Sequence, residues 1–404
     1  MQPVSGQHQQ LGYHRTTPVQ ARGYSSGSSR LLSSTGSPAA VAAAPLLVAP
    51  HPTGAALAAV AAQVAAESAE EVGDVLAAAL TGRRQGESVV FRRPVAVKGL
   101  SFQSASVLKE FKTKTAAVLV SLQPGGVLFI CKFEDIRHEH ALMCALHHMN
   151  RRWQRQGLLV FGRRVEALTY TIIPLGSQVG LIEVVPHSKT LRELAEGFAF
   201  GDRHLRVVNT LGADPRRLDR LAATTVAYLT AGYALGIRDG HDDNIMLNCA
   251  DGGLFRIDLG FSFGGVPEID APTTFVPNAV RFALGEHRWE EVVSKCGLAL
   301  QALCAGSRPG EASAGLGGRA FPAWGLIRSV PELKPLLPQA YGYVQTLSIE
   351  DFGRQVRRAD EWTFSRAMKN TLREAVRYVM AEEEVEQAAG GSANSPGGAG
   401  SSSS

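Results

Sequence analysis

The residues from 232 to 265 constrain this chain more than any others, because they concentrate ionisable and amide side chains in one short stretch. An apolar run ends at Gly236. The polar residues that follow are Asp239, His241, Asp242, Asp243 and Asn244. Polar groups at this density are costly to bury without partners, so we expect them to face a cleft or water.

Two β-rich runs follow, 244–247 and 254–257, and the turn-forming residues 250–253 separate them. This pattern predicts a β-hairpin that holds Asn244 and the following Asp258 at neighbouring strand ends. Amide and carboxylate oxygens are the groups that hold Mg²⁺ on ATP in phosphotransferases. The alternative is a plain surface turn, because Asp, Asn and Gly are the usual turn residues.

The spacing D-x-H-x-x-N, followed by I-D-x-G, resembles the active-site hairpin of the phosphatidylinositol 3-/4-kinase family. That superfamily also contains the phosphatidylinositol-kinase-related protein kinases. The family pattern L-G-[IL]-G-D-R-H-x-x-N-[IL]-[ML] corresponds to residues 235–246, and its H-I-D-F-G corresponds to residues 256–260. The chain departs from the pattern at Arg238, Gly240 and Leu259.

The resemblance implies roles for the four residues that match. Asp239 and His241 would be the catalytic residues that handle the acceptor proton, and Asn244 and Asp258 would hold Mg²⁺. The departure at 238 directly precedes Asp239, the one at 240 lies between Asp239 and His241, and the metal pair is unchanged.

Two further segments resemble parts of the family's ATP site. Residues 111–115 resemble its phosphate loop, in which Thr113 and Lys114 would donate to phosphate oxygens. Lys132 ends an apolar strand, and Glu139 lies on the apolar stripe of the next helix, so each needs a partner of opposite charge. Their pairing would reproduce the Lys–acid pair that positions ATP phosphates in kinases. The alternatives are a solvated turn, a snorkelling lysine and a helix-start glutamate.

Residues 180–185, G-L-I-E-V-V, match the family's interlobe segment. The resemblance implies that the Glu183 carbonyl and the Val185 N–H meet adenine, while Tyr170 lines the inner pocket. The alternative is an ordinary buried strand.

The fold class expected from the resemblance is α+β, a bilobal protein-kinase-like fold with a five-stranded antiparallel β N-lobe and a mainly helical C-lobe. Short β-rich runs begin at Ser88. We expect a helix start at Asp214–Pro215 and another at residues 188–193. The D-F-G at 351–353 continues into a helical run, so we reject it as a magnesium site. The expected domains are a disordered arm at 1–54, a supporting helix at 55–87, the N-lobe at 88–185, the C-lobe at 186–387 and a disordered tail at 388–404.

Composition excludes several classes of protein. Only three arginines precede the first acidic residue, Glu67, and the remainder is close to neutral, which disfavours nucleic-acid binding. Five cysteines form no C-x-x-C pair, which indicates reduced thiols inside a cell and no zinc site. Prolines interrupt the longest apolar stretch, 38–66, so no transmembrane segment is expected. We expect a cytoplasmic protein with peripheral membrane contact, or an organellar one, because the acid-free arm also resembles a transit peptide.

The function expected from these features is that of a kinase, an ATP- and Mg²⁺-dependent transferase that phosphorylates an inositol hydroxyl of phosphatidylinositol. Residues 261–274 contain Glu268 and Asp270 but no Lys or Arg, which favours an unphosphorylated headgroup. The alternatives are a Ser/Thr protein kinase of the related type and a nucleotide-binding pseudokinase. The short interval from hinge to hairpin favours the lipid acceptor over the protein acceptor.

Overall fold

The computed structural model describes residues 69–97, 99–111, 116–267, 273–304 and 323–359. All of them belong to one compact unit, Gly54–Ser404. Several expectations lie outside the described residues: the arm at 1–54, Thr113 and Lys114, Glu268 and Asp270, and the tail at 388–404.

The N-terminal part is an antiparallel sheet covered by one helix. Helix α1 spans Ala69–Leu80. The strands are β1 Ser88–Val97, β2 Leu100–Glu110, β3 Val118–Gln123, β4 Val127–Lys132, β7 Ile172–Pro174 and β8 Gly180–Glu183. Their order in the sheet is β1-β2-β3-β4-β8-β7, and every neighbouring pair is antiparallel. The buried faces of the strands and of α1 form one hydrophobic cluster.

The expectation of five strands is wrong, because the sheet has six. The runs at 88–91 and 94–97 form the single strand β1, whose pairing with β2 shifts register between Val90 and Val95. Pro94 lies in this interval, where a residue without an N–H costs no ladder hydrogen bond. Strand β2 was missed because small and polar residues dominate it, although Phe102 and Val107 are buried.

A long helix and a short hairpin connect β4 to β7. Helix α2 spans Arg137–Arg155, and the two-residue strands β5 Leu159–Val160 and β6 Arg163–Arg164 pair with each other. The sheet order then places β8 directly beside β4, with Gly180 opposite Lys132 and Glu183 opposite Phe129. The interlobe segment therefore begins next to the strand that carries Lys132.

The C-terminal part is mainly helical. Its helices are α3 Arg206–Leu211, α4 Pro215–Leu235, α5 Asn278–Cys304, α6 Trp324–Arg328, α7 Leu337–Val344 and α8 Ile349–Arg357. Three 3₁₀ turns span Glu193–Ala195, Phe200–Leu205 and Pro331–Leu336. A small sheet has the order β11-β10-β9, with β9 Ser188–Thr190, β10 Ile245–Asn248 and β11 Leu254–Arg256. Helix α5 is kinked at Gly285, where φ is 64°. The six-stranded sheet and the helical part confirm an α+β bilobal kinase-like fold.

Helix α4 lies in the middle of the C-terminal core and leads to the candidate site. Its N-cap Asp214 accepts a hydrogen bond from the Arg216 N–H, and Pro215 is the first helical residue, as the sequence predicts. Every residue from Leu221 to Leu235 is buried. The helix ends at Gly236, whose left-handed φ of 63° suits a glycine C-cap.

Of two local predictions from the sequence, the one for residues 188–193 is wrong and the one for residues 351–353 is consistent with the structure. Residues 188–193 do not begin a helix, because Ser188–Thr190 pair with β10 and tertiary pairing overrides the capping signal. Thr190 and Glu193 nevertheless cap each other across the following 3₁₀ turn. The D-F-G at 351–353 lies within α8 with Phe352 fully buried, which is consistent with its rejection as a metal site.

None of the helices in the described part of the chain combines the length and apolar character required to cross a bilayer.

Gly73 tests how closely α1 packs on the sheet. A Cβ at this position would lie 1.9 Å from the Leu175 carbonyl oxygen, which is backbone and cannot rotate away. We expect Gly73→Ala to lower the free energy of unfolding by about 1–3 kcal/mol, measured by urea denaturation. Gly297→Ala is the matched control, since a Cβ there has nothing within 4 Å and a helical alanine stabilises by about 0.4–1 kcal/mol. Equal stabilities for the two variants would contradict the close packing of α1.

Candidate active site

The hairpin predicted at 244–257 is present in the structure. Strands β10 and β11 pair in register, with Ile245 opposite Arg256 and Leu247 opposite Leu254. The Ile257 N–H donates to the Asn244 carbonyl at 3.0 Å, which extends the ladder by one step. Asn244 and Asp258 therefore lie at neighbouring strand ends.

Lys132 joins the two lobes through a cluster of carboxylates. Its Nζ donates to Glu139 Oε1 at 2.7 Å and lies 3.3 Å from Glu134 Oε1 and 3.5 Å from Asp258 Oδ1. Burial by itself lowers the pKa of Lys132, but the negative charges of Glu139 and Asp258 outweigh burial and hold this pKa above its ordinary value. The lysine is therefore a fixed cation at neutral pH.

Glu139 is the buried member of this cluster. It lies in the first turn of α2 with 5% of its surface exposed, and only Oε1 contacts Lys132. Burial raises the pKa of Glu139, an effect that the Lys132 charge opposes. Oε2 has no hydrogen-bond partner among the described residues. A carboxylate in this position is costly without its lysine, so the pair depends on both members.

The loop between α4 and β10, which carries the predicted catalytic residues, forms one hydrogen-bonded unit. Asn244 Nδ2 donates to the Asp239 carbonyl at 3.2 Å and to Asp239 Oδ2 at 3.1 Å. The Asp243 N–H donates to His241 Nδ1 at 3.2 Å, and His241 Nε2 lies 3.5 Å from Asp239 Oδ2. The structure thus brings Asp239, His241 and Asn244 together.

Two arginines from outside the loop hold it in place. Arg206, buried in α3, donates to Asp242 Oδ2 at 2.5 Å. Arg192 Nε lies 3.7 Å from Asp243 Oδ1. Both contacts use residues between His241 and Asn244. They therefore orient the loop without involving the residues that match the family pattern.

Asp239 and Asp258 share an uncommon backbone conformation, with φ of 63° and 57°. Non-glycine residues rarely adopt positive φ, and aspartate is among those that tolerate it best. Such outliers cost about 1–3 kcal/mol and concentrate at functional sites. Two residues of the predicted site are therefore held in a conformation that the surrounding structure imposes.

Residues of the predicted hinge lie at the edge of the six-stranded sheet. Glu183 ends β8, and its Oε2 accepts from the Thr171 N–H at 2.8 Å. Val185 is half-buried against the C-terminal core. Tyr170 precedes β7 rather than lying on a strand, and its hydroxyl donates to the Arg256 carbonyl at 3.4 Å. Burial, together with the charges of Glu139 and Asp258, raises the pKa of Tyr170. The adenine contacts expected of these residues stay predictions.

Sequence reasoning missed Arg256 as a residue of the site. Its guanidinium is buried beneath the loop between α4 and β10 and donates to the carbonyls of Ile237 and Arg238. The sequence did hold a signal for Arg256: the family pattern H-I-D-F-G has histidine at this position, so the arginine is a departure from it.

The described residues fit a magnesium nucleotide. Asn244 directs its amide nitrogen to Asp239, so its Oδ1 stays available as a ligand, and the Asp258 side chain is half exposed. Carboxylate and amide oxygens are the hard donors that Mg²⁺ requires. Lys132 is placed to meet phosphate oxygens. The roles of these residues remain predictions.

Comparisons with known proteins identify relatives for this part of the chain. The family model described as phosphatidylinositol 3- and 4-kinase matches residues 215–284, from the start of α4 into α5. "Phosphatidylinositol 3-kinase 3" of Dictyostelium discoideum is 29% identical over 163 residues, 36% of this chain and 9% of the relative. "Phosphatidylinositol 3-kinase age-1" of Caenorhabditis elegans is 25% identical over 169 residues, 32% of this chain and 14% of the relative.

A third relative is "Phosphatidylinositol 4-phosphate 3-kinase C2 domain-containing subunit alpha" of Pongo abelii. It is 27% identical over 180 residues, 41% of this chain and 10% of the relative. The chain therefore spans a small fraction of these proteins' lengths. The matches support a lipid-kinase-type catalytic domain.

His138 predicts a pH dependence of stability. Its Nε2 lies 2.9 Å from Ser262 Oγ, which ties α2 to the segment after Gly260, and burial lowers its pKa below the ordinary 6.5 despite nearby Asp135. Because the pKa of His138 is depressed in the folded state, its neutral imidazole contributes to stability above pH 6.5. That contribution is lost as the pH falls through the pKa of the folded state. We expect the free energy of unfolding, measured by urea denaturation, to fall between about pH 8 and about pH 5 in the wild type. It should fall less steeply in His138→Gln.

Ser262→Ala is the control, since it removes the same hydrogen bond and keeps the titrating group. It should lower stability and retain a larger share of the pH dependence than His138→Gln. Identical pH profiles for wild type and His138→Gln would show that this histidine does not contribute.

Proposed function

We propose that this member of the phosphatidylinositol 3- and 4-kinase catalytic-domain family transfers the γ-phosphate of ATP to an inositol hydroxyl of phosphatidylinositol. Membership rests on the family-model match and on the curated relatives. The matches support kinase activity of the general kind, and we propose ATP, Mg²⁺ and phosphatidylinositol as its cofactors and acceptor.

The observation that carries this proposal is the contact of Lys132 with both Glu139 and Asp258. These residues come from β4, from α2 and from the end of the hairpin, and they are far apart in the sequence. A lysine held between an inward glutamate and a metal-ligand aspartate is the arrangement that positions nucleotide phosphates in kinases.

Each group has a role in this reaction. Lys132 binds phosphate oxygens, and Glu139 holds the lysine in position. Bound Mg²⁺, with Asn244 and Asp258 as its protein ligands, would neutralise charge on the transferred phosphate. The Asp239–His241 pair takes the proton of the acceptor hydroxyl. The two side chains lie 3.5 Å apart, so they act on the acceptor together.

A lipid acceptor of the phosphatidylinositol type is favoured over a protein acceptor by the relatives, two of which are phosphatidylinositol 3-kinases and one a phosphatidylinositol 4-phosphate 3-kinase. Residues 261–274 carry no cation, which disfavours a headgroup that already bears extra phosphates. This acceptor implies peripheral contact with a membrane surface.

The test is an acceptor assay with labelled ATP and Mg²⁺. The full chain is incubated with vesicles that contain phosphatidylinositol, with vesicles that lack it, and with generic Ser/Thr protein substrates. Label in phosphatidylinositol supports the proposal, and label in protein alone assigns the chain to the protein-kinase alternative. ATP binding without transfer to any acceptor, or to water, identifies a pseudokinase.

Asp258→Asn tests the metal assignment. An amide keeps the size of the side chain and its tolerance of positive φ, but it removes the negative charge that Mg²⁺ and Lys132 both meet. We expect almost complete loss of turnover with little change in thermal stability. Wild-type turnover in this variant would overturn the site assignment.

His241→Ala separates proton handling from nucleotide binding. We expect Mg·ATP affinity to be retained and turnover to fall by about 10²–10⁴-fold, the usual contribution of a general base. The measurements are equilibrium binding of a fluorescent ATP analogue and initial rates at saturating ATP. A parallel loss of affinity would place His241 in the nucleotide site instead.

A further inference from the structure

Gly240 and Arg256 occupy one space in the structure. A Cβ built at Gly240 would lie 2.8 Å from Arg256 Nη2 and 3.1 Å from its Cζ. Gly240 lies between Asp239 and His241, so the guanidinium sits directly against the catalytic loop. The absence of a side chain at 240 makes room for the side chain at 256.

Three contacts hold the guanidinium in this position. Nη1 donates to the carbonyls of Ile237 at 3.4 Å and Arg238 at 3.3 Å, and Nη2 donates to the Tyr228 hydroxyl at 2.9 Å. Its Cζ lies 4.7 Å from the centre of the Tyr228 ring, within cation–π range. Arg256 therefore connects α4, through Tyr228, to the two residues that precede Asp239.

The charge of Arg256 is unusual for its environment. Only 9% of the residue is exposed, and within the described ranges no carboxylate lies at ion-pair distance from it. A buried cation is retained only when dipoles or charges compensate it. Here carbonyl oxygens, a phenol oxygen and an aromatic face supply that compensation, and they fix the guanidinium under the loop.

Both positions depart from the family pattern: position 240 lacks the arginine of the pattern, and position 256 has an arginine that the pattern lacks. The pattern D-R-H has arginine where this chain has Gly240, and H-I-D-F-G has histidine where this chain has Arg256. We infer that the two departures are one exchange, in which a guanidinium supplied by β11 replaces the loop arginine and positions Asp239 and His241. Arg256 is thus a positioning residue, and the glycine at 240 is a requirement of the exchange rather than a weakness of the site.

Restoring the family residue at only one of the two positions is therefore expected to lower activity. An arginine introduced at 240 alone meets the Arg256 guanidinium, which can move only by breaking its contacts with Ile237, Arg238 and Tyr228. A histidine introduced at 256 alone leaves a void and removes the donors to both carbonyls. Only in the double variant does a single guanidinium, now supplied by residue 240, occupy the space beneath the loop.

The experiment is a double-mutant cycle on the full chain, and its catalytic arm rests on the proposed function. The variants are Gly240→Arg, Arg256→His and the double variant, assayed for kcat and for the KM of ATP with phosphatidylinositol vesicles. We expect each single change to lower kcat by up to about 10²-fold, the effect of a small misplacement of catalytic groups, with a much smaller change in the KM of ATP. The double variant should exceed both single variants, because neighbouring substitutions in contact are not additive.

Two milder variants cover the case in which a single change prevents folding. Gly240→Ala adds only the Cβ that meets the guanidinium, and Arg256→Lys keeps the charge without the fork that reaches two carbonyls and a hydroxyl. Both should fold and lose kcat. The matched controls are Gly297→Arg, at a helical glycine with open space, and Arg288→His, at an arginine paired with Asp219 away from the loop. Both controls should keep wild-type kcat.

The outcomes distinguish the exchange from the proposed function. An active wild type whose double variant is no better than the worse single variant overturns the exchange and leaves the function intact. A wild type that transfers no phosphate overturns the function. In that case the same cycle is read by thermal unfolding and by binding of the ATP analogue: recovery of both in the double variant supports the exchange, and additive losses overturn it.

Discussion

The ion pair between Lys132 and Glu139 is the contact on which the rest of the site depends. It joins the last residue of β4 to the first turn of α2, and its third member, Asp258, brings in the hairpin of the helical part. Pairing inside a protein is favourable only when both charges find good partners, and removal of one leaves the other buried. The position of α2 on the sheet is therefore linked to the charge state of the candidate site.

Around this pair, arginines fix a loop that has little regular structure of its own. Arg206 and Arg192 hold the residues after His241, and Arg256 holds the residues before Asp239. Planar guanidinium groups suit this task because one side chain donates in several fixed directions. The buried helix α4 supplies the rigid support from which the loop begins.

Local signals explain what could be predicted from the sequence. The hairpin follows from turn residues between two β-rich runs, and the bounds of α4 follow from Asp214 and Gly236. The contact of Lys132 with Glu139 follows from an inward charge on an apolar stripe. Strand β2 and the pairing of residues 188–190 were missed because their neighbours in the sheet decide them. The place of Arg256 depends on Tyr228 and Ile237, which no local pattern connects to it.

The left-handed backbone at Asp239 and Asp258 has a consequence for how such a site changes over generations. Asparagine is the replacement that tolerates this conformation as well as aspartate does, whereas glutamate and larger residues are strained there. The substitution least harmful to folding is thus also the one that removes the negative charge. In a lineage under selection for folding alone, drift at these two positions would yield an intact, stable scaffold without the two carboxylates of the candidate site.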